Sequence, residues 1–167
     1  MVAFAFHLLQ SVPGLRHAAI HPDGEHGKRF DFKACLAGRG FALAEPMGTT
    51  TYGGIYEAPD GRTVLINPKS GLGDVIADLD GVSYFAECKG GIINTKHAGQ
   101  VSRLRKGLAE TIGQLLVVPL LEGQRQFAVV PRTSATLTVA KRMAGRARAA
   151  GIEIVLVDQD GTVGATD

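Results

Sequence analysis

The 167 residues are enough for one hydrophobic core and too few for two comfortable domains, so a single domain over 1–167 is expected. Hydrophobic residues make up 45% and charged residues 20%, and no apolar run approaches the ~18 residues of a bilayer span, which excludes a membrane helix and points to a soluble chain. A formal net charge of +2 is too small to argue for a nucleic-acid partner by itself, and two cysteines without CxxC spacing exclude a disulfide framework or a zinc site.

The start, MVAFAFHLLQSVPG, has a short apolar stretch, no basic residue before it and no small-residue cleavage site. No secretory signal is expected, and a cytoplasmic location is the default. Residues 1–27 read as an N-terminal extension to a core of about 28–157, with His21 and His26 in a solvated loop, HPDGEHG. From Lys28 to about Leu43 loose helical spacing predicts a helix frayed by Gly38 and Gly40. Ile55 and Tyr56 could belong to a short strand, and RTVLINP reads as a strand ending at Pro68.

Residues 73–90, GDVIADLDGVSYFAECKG, read as a hairpin around Asp80-Gly81. Beyond it Val101, Leu104, Leu108, Ile112 and Leu115 recur at three- and four-residue steps and predict a helix from about Ala98 to Val118, closed by Pro119. QFAVVP is then a strand, residues 136–150 a basic amphipathic helix ending at Gly151, and IEIVLVD a buried strand. The order helix, three strands, helix, strand, helix, strand implies an α/β chain with a central mixed sheet and helices on both faces.

The hairpin is where chemistry enters. A two-residue type I′ turn at Asp80-Gly81 places Asp74 opposite Glu87 and Asp78 opposite Ser83, with Lys89 on the same face as Glu87. A three-residue G1-bulge turn would instead put Asp74 opposite Ala86 or Cys88. Two carboxylates facing each other destabilise a sheet by ~0.2–1 kcal/mol unless a cation sits between them. Hard oxygen donors of this kind suit Mg²⁺ or Mn²⁺, and Lys89 beside them is a cation able to hold a phosphate oxygen or orient water. A plain structural alternative makes Glu87 and Lys89 a salt-bridged pair at a strand end.

Asp74, twelve intervening residues and then Glu87-Cys88-Lys89 resembles the D…(D/E)xK signature of the PD-(D/E)xK nuclease superfamily. The order of elements over roughly 28–157 is also similar: a helix, a three-strand meander with the motif on its second and third strands, then a helix and a strand. The resemblance implies a restriction-endonuclease-like fold, a three-layer α/β/α arrangement, and a magnesium-dependent nuclease that hydrolyses phosphodiester bonds. It implies that Asp74 and Glu87 are metal-binding carboxylates, that the Cys88 carbonyl completes the inner shell, and that Lys89 acts on the water or the scissile phosphate. Gln100 takes the place of a glutamine that many members carry early in the following helix, and Gln114 falls on nearly the same helix face with Arg103 between them.

The chain departs from the family pattern at Gly73, where the proline of the motif's name would stand. Glu45 or Glu57 could serve as an assisting acid, Lys69 could reach a phosphate at the same corner, and Asp78 ranks second to Asp74 as the first acid. Two basic clusters, Arg103, Arg105 and Lys106, and Lys141, Arg142, Arg146 and Arg148, are either phosphate contacts or solvated helix faces. No tryptophan and three tyrosines leave few stacking platforms, so phosphate and shape recognition is expected, with DNA ahead of RNA. Specificity would come from a homodimer, a partner protein or the structure of the nucleic acid. A non-catalytic nucleic-acid-binding or assembly subunit and an RNase toxin domain are the alternatives.

Overall fold

The computed structural model describes residues 1–23, 27, 29–68, 73–91 and 93–166. Among them are four helices and nine strands. In chain order these are α1 (Val2–Ser11), β1 (His17–Ile20), α2 (Phe32–Ala37), β2 (Ala42–Pro46), β3 (Gly54–Glu57), β4 (Thr63–Ile66) and β5 (Val75–Leu79). Then follow β6 (Val82–Cys88), α3 (Ala98–Val117), β7 (Gln124–Pro131), α4 (Ser134–Ala149), β8 (Ile152–Val157) and β9 (Val163–Gly164). The chain is mixed α/β, as expected, and divides into two compact units, Met1–Asp80 and Gly81–Asp167.

In the first unit the strand order is β2-β3-β4-β1-β5. β1 runs parallel to β4, with Ala18 opposite Val64 and Ile20 opposite Ile66, and antiparallel to β5, with Ile20 opposite Val75. The expected meander of RTVLINP beside the motif strands is therefore not formed, because β1 lies between β4 and β5. Residues read as part of an extension supply the middle of this arrangement. Ile20, Val64, Ile66 and Val75 are fully buried on one strand face, and α1 packs on β1 and β5 through a side that buries Phe4, Phe6, Leu8 and Leu9. A four-residue strand of modest β-propensity is held because both of its edges find backbone partners.

The helix expected over 28–43 is confined to Phe32–Ala37. Asp31 caps it, its carboxylate accepting the Ala34 N–H at 2.9 Å. Gly40, at φ 81°, then turns the chain so that Ala42 onward pairs antiparallel with β3 instead of extending the helix. The short strand expected at Ile55 and Tyr56 is β3.

In the second unit β6, β7 and β8 are parallel neighbours and β9 returns antiparallel to β8. α3 and α4 make the two crossovers, as the alternation of elements predicted. Leu104, Leu108, Ile112 and Leu115 are the buried stripe of α3, and Leu108, Ile112 and Leu115 join Ala140 and Ala147 of α4 over Ala128, Val130, Ile154 and Leu156. Both helices thus cover one face of these strands. Thr133 starts α4 with a capping box shared with Thr136, and Gly151, at φ 79°, follows its end.

Candidate active site

Asp74 belongs to the first unit and stands immediately before β5. Its carbonyl accepts the His21 N–H at 2.9 Å, and the Asn67 N–H donates to the Ile20 carbonyl at 2.9 Å. The His21 ring, only 7% exposed, places Nδ1 3.2 Å from the Asn67 carbonyl oxygen. A carbonyl accepts only, so Nδ1 is the donor in this contact. Asp74, His21 and Asn67 are thereby fixed together at the carboxyl ends of the parallel pair β1 and β4. The reading of His21 as a solvated loop residue is corrected: it is a buried brace beside the first motif acid. Sequence gave no signal for this, since the contact joins three separate segments. His26 and Lys69 lie outside the described residues.

Gly73 has φ 86°. Proline is locked near −65°, so the residue of the motif's name could not adopt the backbone that leads into Asp74 here. The departure from the family pattern is thus required by the local conformation. At the far end of β5, Asp80 and Gly81 have φ 50° and 81°, both in the left-handed region that a type I′ turn demands.

Glu87, Cys88 and Lys89 belong to the second unit. Register pairs Glu87 with Ala128, a core residue beneath α3, and Phe85 packs against the same core. Alternation therefore directs Phe85, Glu87 and Lys89 to the face that α3 covers, and Tyr84, Ala86 and Cys88 to the other. The Lys89 backbone N–H is held by the Val129 carbonyl at 2.9 Å. Its side-chain stem runs over Gly107, where an added Cβ would lie 3.2 Å from Lys89 Cγ, and its ammonium reaches Glu110 Oε2 at 3.7 Å.

Gln100, Arg103, Gly107, Glu110 and Gln114 share one face of α3 by helical spacing. Lys89 lies on the middle of this stripe, and Gln100 stands two turns before Gly107, about 10 Å along the axis. Glu110 is a site neighbour that the sequence reading missed, because its partner is remote in the chain. Among the described residues no three His, Cys, Asp or Glu side chains converge as a metal centre. The donors proposed from sequence, two carboxylates and one carbonyl, are hard oxygens that suit Mg²⁺ or Mn²⁺ and leave its other positions to water and phosphate.

The basic residues divide by environment. Arg103, Arg105 and Lys106 are exposed on α3. Arg142 and Arg146 line a groove beside apolar residues. Arg125 lies over the Tyr84 and Phe127 rings at 5.6 and 5.3 Å and holds Glu153 at 2.7 Å, and this last hydrogen bond raises its pKa, so it is committed to structure. Cys35 and Cys88 are half-buried free thiols. No described helix is long and apolar enough to cross a membrane. No family model, curated protein or solved structure matches the chain.

Proposed function

We propose that this chain is a metal-dependent nuclease that hydrolyses phosphodiester bonds, in DNA ahead of RNA, and that it uses the D…ExK residues Asp74, Glu87 and Lys89. The observation that carries the reading is the seat of Lys89. Its stem lies on a helix position with no side chain, on the α3 face that also bears Gln100 and Gln114, and Glu87 shares that side of β6. The left-handed pair Asp80-Gly81 supports the two-residue turn expected from the sequence.

In this reading Asp74 and Glu87 hold a Mg²⁺ or Mn²⁺ ion, with the Cys88 carbonyl as a third oxygen. The ion, when bound, neutralises phosphate charge and acidifies water. Lys89 contributes a compact point charge with three donors, suited to a phosphate oxygen or to orienting the attacking water. Gln100 orients groups at the start of α3, and Arg103, Arg105 and Lys106 hold the backbone through charge that salt would screen. The three-layer α/β/α arrangement of the restriction-endonuclease-like fold and a cytoplasmic setting belong to the same proposal, as does a homodimer or partner protein that sets specificity.

The test incubates purified protein with plasmid DNA and with structured RNA in Mg²⁺ or Mn²⁺. Cleavage of one of them, lost in Glu87→Ala and Lys89→Ala with binding intact, is the expected result. Metal-independent binding without cleavage of either would replace the enzyme with a binding or assembly subunit. Cell killing on expression, relieved by Lys89→Ala, would move the substrate to cellular RNA.

A further inference from the structure

The described residues carry six large exposed hydrophobic side chains, and four of them fall within six positions: Leu116 at 59%, Val117 at 81%, Leu120 at 52% and Leu121 at 63% exposure. Such a concentration on a surface marks an interaction site more often than chance. It is continuous with a groove of about 490 Å³ between α3 and α4, lined by Ile112, Leu116, Met143 and Ala147 and flanked by Arg142 and Arg146. Leu120 bridges the two, because it packs where a Cβ on Gly151, just past the end of α4, would meet it at 2.8 Å.

The charge around the groove is one-sided. Arg142 and Arg146 are one helical turn apart on α4, no acidic residue lines the groove, and the opposite wall is apolar. A second copy presenting this same surface would bring like charges together, which disfavours self-association. The groove floor itself is recessed between two helices, a shape that fits an inserted helix more closely than a flat lipid surface. An apolar floor with two arginines on one side matches a helix laid in the groove with apolar residues at i, i+3 and i+7 and acids on one flank.

We infer that the α3–α4 groove is a docking site for an acidic amphipathic helix of a partner protein. Leucine-type side chains enter between Leu116 and Met143, and two carboxylates one turn apart meet Arg142 and Arg146. The site stands apart from the proposed nuclease residues and does not depend on them.

The probe is a synthetic amphipathic helix, about five turns long, with leucines at i, i+3 and i+7 and glutamates at i and i+4 along one flank. Fluorescence anisotropy is read against the intact protein, with amide shifts mapped by NMR. Saturable binding is expected, with shifts centred on Leu116 and Met143 and a dissociation constant at least tenfold higher in R142E/R146E and in Leu116→Asp. Thermal melts establish that both variants stay folded. Equal binding of a peptide with lysines in place of the glutamates would overturn the proposal, as would no saturable binding. Retention on phosphatidylserine vesicles without peptide binding would assign the surface to a membrane. A dimer in sedimentation that R142E/R146E strengthens would assign it to a second copy.

Discussion

Lys89 and Glu110 meet at 3.7 Å, nitrogen to oxygen, across the gap between β6 and α3. Both side chains are more than two-fifths exposed, so the pair is solvated and contributes ~0–1 kcal/mol. Glu110→Gln is expected to move the melting temperature by no more than about 4 °C. Plasmid cleavage, measured in parallel, should change by less than tenfold, whereas Lys89→Ala should lose at least about 10² in rate. Equal losses in the two variants would make Glu110 part of the chemistry.

Gly107→Ala separates stability from activity. Alanine in a helix interior gains about 0.5–1 kcal/mol over glycine, and the only atoms its methyl meets at 3.2–3.5 Å belong to the flexible Lys89 stem. The variant should melt about 1–3 °C higher while cleaving more slowly, because Lys89 must move aside. A higher melting point with undiminished cleavage would show that the seat on α3 does not position Lys89.

Gly73→Pro restores the proline of the motif's name and should harm the protein. Proline cannot reach φ 86°, and forcing the chain through another path into Asp74 costs at least about 1–3 kcal/mol. Denaturant unfolding is the measurement. Unchanged stability would mean that the left-handed bend is dispensable.

Thr133→Ala removes the capping box of α4, in which the Thr133 hydroxyl accepts the Thr136 N–H at 3.1 Å and the Thr133 N–H donates to the Thr136 hydroxyl at 2.8 Å. A loss of ~1 kcal/mol is expected, about 2–4 °C in melting temperature. Thr133→Ser, which keeps the oxygen, should recover most of it.

Acid should weaken the fold in part through His7. Burial in α1 lowers its pKa from the ordinary 6.5. Between the lowered value and 6.5 the unfolded chain binds more protons than the folded one, so stability is full above 6.5 and declines as pH falls through that window. His7→Gln should flatten this part of a stability–pH curve measured by denaturant unfolding. A curve unchanged by the substitution would place the acid sensitivity elsewhere.

The elements legible in the sequence were those whose signal is local and periodic. Leu104, Leu108, Ile112 and Leu115 identified α3, and the apolar runs QFAVVP and IEIVLVD identified two strands with a helix between them. β1 was not legible, because HAAI is four residues long, has no turn partner nearby and pairs with strands more than forty positions away. Residues 38–43 were misread for a different reason: the helical spacing runs on past Gly40, and pairing of Ala42 onward with β3 overrides it. At the site, side-chain alternation placed Glu87 and Lys89 on one face from sequence. Neither the burial of His21 nor the approach of Glu110 could be read, since each depends on segments brought together only by folding.

The position of β1 between β4 and β5 also sets an order of events. The strand is synthesised before both neighbours and must wait for them, so for an interval its edges lack these partners. A chain beginning at residue 28 would suffer the converse, with β4 and β5 each left offering an open edge to other molecules. This protein is therefore expected to tolerate loss of its N-terminal segment badly, through aggregation before any effect on the proposed active site is felt.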